Sequence, residues 1–225
     1  MVKNKNASHI SIFRLLIVLA VAVWTTSLAG ELEVEFDEGY HYYRISPALP
    51  LQVDTGHVEV LELFWYGCPH CYDFEEYLAK WKREKADHVK FVPMPAVMNR
   101  NWVPQARAYF ALREMGEAER MHSLFFEAIH VQGRRLGDKK SISRFLGQHG
   151  IDTSSFEKAY RSSSVSKNIQ HSRQLARDSG ASSVPTVVVN GKYRSTAADA
   201  GSYSRLLQLI DHLVRQETNL ARSAN

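Results

Sequence analysis

The spacing of apolar positions along the chain changes period repeatedly, and each change marks an element. An unbroken apolar run, Leu15 to Trp24, comes first. After an acidic stretch, Glu31 to Glu38, the alternating His41-Tyr42-Tyr43-Arg44-Ile45 predicts a short strand ended by Pro47 and Pro50. Gly56 then opens a second strand, Val58 to Trp65, whose nearly continuous apolar character suits burial on both faces. From Pro69 to about Lys85 the period becomes helical, with Phe74, Leu78 and Trp81 along one side. Val89 to Val92 predicts a third strand, halted by Pro93 and Pro95. Strand, helix and strand in such a short span make a βαβ unit, which pairs its strands in parallel.

Helices alone are predicted from Trp102 to about Ser179. One runs from Trp102 to Met115 and ends at Gly116; the next, Glu117 to about Gln132, carries Met121, Leu124, Phe125 and Ile129 on one face. Asp138 can cap a short helix to Gly147, Asp152 or Ser154 another through Tyr160, and Val165 to Asp178 makes the last. Strands return at Pro185 to Val189; Asn190-Gly191 signals a tight hairpin into Lys192-Tyr193-Arg194. Asp199 to about Gln216 closes as a helix with Leu206, Leu209, Ile210 and Leu213 inward, and residues 219–225 form a polar tail. A lone βαβ unit and a lone hairpin are each marginal, so the two complete one another. The expected organisation is one α/β unit, residues 31–98 and 182–218, with an all-helical insertion at 99–181.

Residues 1–30 have a different character. Lys3, Lys5 and Arg14 precede the apolar run and Ser27-Leu28-Ala29 follows it, the layout of a signal peptide cleaved after Ala29 or Gly30. An uncleaved anchor is the alternative, but this run falls short of the roughly 20 residues a spanning helix needs. The segment also accounts for the charge. The whole chain has 28 basic and 24 acidic residues, and removing these three cations leaves 25 against 24. A nearly neutral chain with no basic block does not point to nucleic acid or an anionic membrane surface.

The only two cysteines among the 225 residues lie two residues apart, in Cys68-Pro69-His70-Cys71, where the second strand gives way to the helix. A loop so short does little to brace a fold, and export would place the pair where disulfides persist. No second cysteine pair and no finger-spaced histidine pair accompany it, which argues against zinc; no metal or organic cofactor is expected. Cys68, at the start of the helix, meets the first-turn N–H groups and the positive end of the helix dipole, and protonated His70 adds positive charge. Both favour thiolate, so Cys68 is the expected attacked sulfur and the more buried Cys71 its partner.

The pattern resembles the DsbA family of the thioredoxin superfamily. Pro69-His70 between the cysteines, Glu62 six residues before Cys68, Val184-Pro185-Thr186, and the helical insertion carry the likeness, over roughly residues 35–217. The resemblance implies an α/β thioredoxin fold with an inserted helical domain, and a thiol:disulfide oxidoreductase. It implies that Glu62 exchanges protons with Cys71, that Pro185 is cis, and that Val184 offers backbone groups to substrate while Thr186 orders the loop. It further implies a monomeric periplasmic protein that passes its Cys68–Cys71 disulfide to exported proteins and is reoxidised by a DsbB-like, quinone-linked inner-membrane partner. Tyr66-Gly67 departs from members with two aromatic residues there, with an expected effect on the local surface only.

By the residues alone, Glu62 could instead reach solvent from a strand edge. His122, His130, His149, His171 and His212 are expected to serve packing, and Glu75 and Glu76 either to soften the positive field at the motif or, equally, to lie on a solvated helix face. Trp65, Tyr66 and Tyr72 fit an apolar docking rim, with core packing the alternative for Trp65. Competing functions are a periplasmic reductase or isomerase, and a non-enzymatic chaperone-like binder of unfolded chains.

Overall fold

A computed structural model describes residues 35–223. The signal-peptide expectation therefore lies outside the described residues. Five strands form one sheet: β1 (Tyr43–Arg44), β2 (Val58–Phe64), β3 (Val89–Pro95), β4 (Thr186–Val189) and β5 (Tyr193–Ser195), in the order β1-β5-β4-β2-β3. β2 and β3 are parallel and the other pairings antiparallel, as a βαβ unit completed by a hairpin requires. Every residue of the central β2 is buried, which is why its apolar run is nearly unbroken.

The prolines do not halt β3. The strand passes through Pro93 and Pro95 because it is the sheet edge and pairs only with β2. Ala96 donates its N–H to the Phe64 carbonyl (2.7 Å), so the two prolines, at the opposite parity, turn away from β2 where no ladder donor is needed. Their outward carbonyls are still satisfied: Tyr109 Oη donates to Pro93 (3.0 Å) and Ser172 Oγ to Pro95 (2.5 Å).

Helix α1 (Pro69–Glu84) joins β2 to β3. Between β3 and β4 come a 3₁₀ turn (Arg100–Trp102), α2 (Val103–Glu114), α3 (Ala118–His130), α4 (Lys139–Gln148), α5 (Thr153–Tyr160) and α6 (Ser163–Asp178). Asp138, Asp152 and Ser162 cap α4, α5 and α6 through their side chains. In α3 the buried face is Met121, Phe125, Phe126 and Ala128, while Leu124 and Ile129 sit at its half-buried margin.

The predicted last helix is two. Asp199 does not open a helix but closes a capping box on Thr196, giving the short α7 (Ala197–Ala200), which left-handed Gly201 (φ 96°) ends. α8 (Tyr203–Ser223) follows and runs past Asn219, where a tail was expected. Buried Glu217 fixes that extension by accepting from Asn190 Nδ2 and pairing with Lys192 (2.6 Å each).

Two apolar cores flank the sheet. Val58, Val60, Val187 and Val189 pack with Phe74 and Leu78 of α1 and Leu206, Leu209 and Leu213 of α8. Leu61, Leu63 and Val188 pack with the helical block, through residues such as Phe110, Phe125 and Phe156. Residues 36–223 belong to one compact unit. In the β4–β5 turn Asn190 (φ 50°) and Gly191 (φ 67°) are both left-handed, the tight hairpin geometry their identity predicts.

Candidate active site

The cysteines stand where β2 hands over to α1. Cys68 is the extended N-cap of α1 and Pro69 its first residue, where a missing N–H costs nothing. The Cys68 N–H is held by the Trp65 carbonyl (2.9 Å), which pins the motif to the strand end. Both cysteines are free thiols and buried, Cys71 completely (0% exposed) and Cys68 nearly so (8%). Pro69 and His70 are exposed.

The two sulfurs have opposite electrostatics. A hydrogen bond from the Cys71 thiol holds Cys68 down to about 6, with help from the backbone N–H groups of Cys71 and His70 and the His70 charge, against the cost of burial. Cys71 is pushed far up, first by burial, then by giving its proton to Cys68, then by the nearby Glu62. Cys68 is thus a thiolate near neutral pH and Cys71 a thiol.

The Val184–Pro185 bond is cis, and the Val184 carbonyl lies 3.4 Å from Cys68 Sγ, within reach of the thiol proton. Thr186 is buried and its hydroxyl donates to the Ser183 carbonyl (2.8 Å), closing the loop from inside. The sheet and this loop therefore bring Val184, Pro185 and Thr186, more than a hundred residues away in the chain, to the cysteines. A second cis bond, Ser46–Pro47, lies outside the site and carries no sequence signal.

Glu62 is fully buried, on the α1 side of β2 by the alternation that buries Val58 and Val60 there. Neither carboxyl oxygen has a hydrogen-bond partner in the protein. The solvent-reaching alternative is excluded. Burial raises its pKa well above the ordinary carboxylate range, the Glu75 charge raises it further, and Lys82 offsets only part. Glu62 therefore keeps its proton to higher pH than an ordinary carboxylate, and it interacts electrostatically with both cysteines.

Glu75 is not on a solvated face. It accepts from or pairs with His122 of α3 (3.2 Å) and lies 3.8 Å from Lys82. It stays ionised because these partners outweigh its burial. Glu76 is exposed. Nδ1 of His122 meets the Tyr66 hydroxyl (3.0 Å), and His130 Nε2 donates to the Tyr66 carbonyl (2.8 Å). Two histidines expected to serve packing thus tie the helical block to the active-site loop. Nothing in the sequence flags His122, whose partners are 47 and 56 residues away. Glu75 has a signal in its spacing from Leu78 and Lys82, which puts it at the edge of the inner face of α1.

The aromatic rim needs correction. Tyr66 is 1% exposed and lies under Phe125, ring centroids 4.6 Å apart, so it belongs to the core. Trp65 stacks on Trp102 (4.5 Å, 5° between planes) and Tyr72 on His130 (5.0 Å, 12°); both are half-buried. A Cβ at Gly67 would overlap the Trp65 indole, so the glycine makes room for this stack. The departure at Tyr66-Gly67 is a packing arrangement and not a surface feature.

Among the described residues no group of three His, Cys, Asp or Glu side chains is placed to hold a metal ion, and no helix is long and apolar enough to cross a membrane.

Comparison with known proteins agrees with this geometry. Residues 89–211 match the DSBA-like thioredoxin domain. A thiol:disulfide interchange protein DsbA from Pseudomonas syringae pv. tomato is 34% identical over 211 residues, covering 92% of this chain and 98% of that protein. That from Azotobacter vinelandii is 37% identical over 179 residues, 80% and 83% of the two chains. The crystal structure of Pseudomonas aeruginosa DsbA superposes with a TM-score of 0.79 at 34% identity, covering 83% of this chain and 97% of that one. The oxidoreductase NmDsbA1 from N. meningitidis gives 0.71 at 25% identity, covering 83% and 96%. The chain belongs to the DsbA-like thioredoxin family and is a thiol:disulfide oxidoreductase.

Proposed function

We propose that the chain acts as a disulfide donor in the periplasm, carried there by residues 1–30, and that Cys68 and Cys71 carry the exchanged disulfide. The observation that carries this reading is the asymmetry of the two thiols: Cys68 held down to about 6 and Cys71 pushed up. Stabilising the reduced dithiol in this way makes the disulfide a stronger oxidant.

A thiolate of an exported protein attacks the Cys68 sulfur of the disulfide, and the Cys68–Cys71 bond breaks with its electron pair on Cys71. Cys71 is a poor leaving group as a bare thiolate in a buried site, and the neutral Glu62 supplies the proton. A second substrate thiolate then attacks the substrate sulfur of the mixed disulfide, and Cys68 departs as its stable thiolate. The substrate is oxidised by two electrons and this protein reduced by two. His70 and Pro69 shape the thiolate environment, and Val184, Pro185 and Thr186 present a backbone edge along which substrate adds as a strand. Residues 31–98 and 182–218 form the catalytic unit and 99–181 its helical insertion. The protein works as a monomer, and a quinone-linked membrane protein similar to DsbB takes the two electrons from the dithiol.

A trapping experiment tests this. Cys71→Ala leaves the mixed disulfide unresolved, so exported cysteine proteins and a membrane partner should be recovered joined to Cys68. Recovery of neither from periplasm and membranes would sink the donor reading.

A further inference from the structure

A groove of about 520 Å³ lies beside the Val184 loop, between the segment leaving β3 and the C-terminal half of α6. Val97, Met98 and Ala176 give it an apolar floor, and Arg100, Arg173 and Arg177 give it a cationic rim. No carboxylate lines it. Arg100 and Arg177 are exposed and Arg173 half-buried. Arg177 gives one N–H to Gln174 of its own helix, but the side chains of Arg100 and Arg173 have no hydrogen bond or ion pair among the described residues. Three guanidinium groups around one groove repel one another, in a chain whose basic and acidic residues otherwise nearly balance. In their last-turn position Arg177 can complement its helix dipole, but that leaves Arg100 and Arg173 unexplained.

The position of the groove bears on its use. Its β3 wall leaves the sheet at Ala96, which is bonded to Phe64, so it stands at the same sheet end as Cys68. Its other wall includes Ser182, two residues before the Val184 carbonyl that lies 3.4 Å from Cys68 Sγ. A polypeptide whose cysteine reaches Cys68 along the Val184 edge can extend past Ser182 into the groove. Guanidinium forks bind carboxylates bidentately and make no comparable bond to cations or amides.

We propose that this groove is a specificity subsite that selects polypeptide segments bearing an aspartate or glutamate within a few residues of the reacting cysteine, its apolar floor taking a neighbouring small apolar side chain. The proposal rests on Cys68 being the attacked sulfur.

Three single-cysteine peptides, identical except for acidic, amide or lysine flanks, test it. The oxidised protein is mixed with each, and mixed-disulfide formation at Cys68 is timed by acid quench and mass spectrometry. Rates are corrected for each peptide's own thiolate fraction. At low ionic strength the acidic peptide should react roughly tenfold faster than the lysine one. The preference should vanish at about 1 M salt, where the screening length is ~3 Å. R100E/R173E should reverse the order and R100Q/R173Q level it, with 2-mercaptoethanol reacting at an unchanged rate throughout. Equal rates for the three peptides, or an order that survives charge reversal, overturns the subsite. If neither peptides nor 2-mercaptoethanol react at Cys68, the assignment of the attacked sulfur fails, and the subsite with it.

Discussion

The Tyr66 hydroxyl and Nδ1 of His122 lie 3.0 Å apart, joining the loop that precedes Cys68 to a helix of the inserted block. The same imidazole meets Glu75 through Nε2 at 3.2 Å. Tyr66 is buried, so this link is a polar bridge inside an aromatic cluster with Phe64, Phe125 and Phe126. Removing one partner leaves the other buried without its bond, at a cost of about 1–3 kcal/mol. Tyr66→Phe is expected to lower stability by that amount in urea unfolding, and His122→Ala by more, since it also strips Glu75 of its main partner. A double variant should cost less than the two losses combined, because the residues share one network.

Glu62 sets a pH dependence of stability. Its pKa in the folded protein lies well above the ordinary 4.5, so the folded state keeps a proton that the unfolded chain releases as pH rises. Stability contributed by this group is intact below about pH 4.5 and falls through the window up to the folded value. In the oxidised protein, Glu62→Gln should therefore become more stable than wild type as pH rises above 4.5, by up to about 1.4 kcal/mol per unit within that window. The same variant should slow disulfide transfer, because glutamine has no proton to give Cys71. Parallel stability curves for the two proteins across this range would mean that Glu62 ionises freely.

The thiolate of Cys68 should titrate with a midpoint near 6, measurable as the rise in absorbance at 240 nm of the reduced protein. The Cys71 hydrogen bond is its largest support and the His70 charge its smallest, so Cys71→Ala should raise the midpoint more than His70→Ala does. The linkage has the opposite sign to that of Glu62. A depressed thiol makes the reduced protein gain stability as pH rises from about 6 toward the ordinary thiol value of 9. A Cys68 midpoint near 9 would remove the reason for donation.

Gly67→Ala should destabilise the protein. The added methyl overlaps the Trp65 ring, and moving that ring aside breaks its stack on Trp102 at 4.5 Å. A clash in a packed aromatic pair costs about 1–3 kcal/mol. The loss should appear in urea unfolding, and Trp65→Ala should suppress most of the further penalty of Gly67→Ala.

The chain carried a good deal of this on its face. Local features were enough wherever neighbours in sequence are neighbours in space: the βαβ unit, the Asn190-Gly191 hairpin, the caps at Asp138 and Asp152, and the Cys68–Cys71 motif at a helix start. Likeness to a known family supplied Glu62 and Pro185, which spacing alone left open between a buried acid and a solvated one, and between cis and trans. Pro93 and Pro95 misled because a proline stops a strand only where its neighbour needs a donor, and edge position is a property of the sheet.

Tertiary structure alone decided the rest, because the deciding quantity was long-range contact. Periodicity places His122 on α3 but cannot tell that its two nitrogens face Tyr66 and Glu75. Composition counts Arg100, Arg173 and Arg177 as three of many cations, and only the packing of α6 against the end of β3 gathers them round one groove. The sequence by itself placed two thiols at the start of a helix and pointed to exchange chemistry there. Its place at the helix start already pointed to Cys68 as the thiolate; folding determined how far apart the two thiol pKa values are set, because burial, one hydrogen bond and a buried carboxyl act on sulfur only at contact distance.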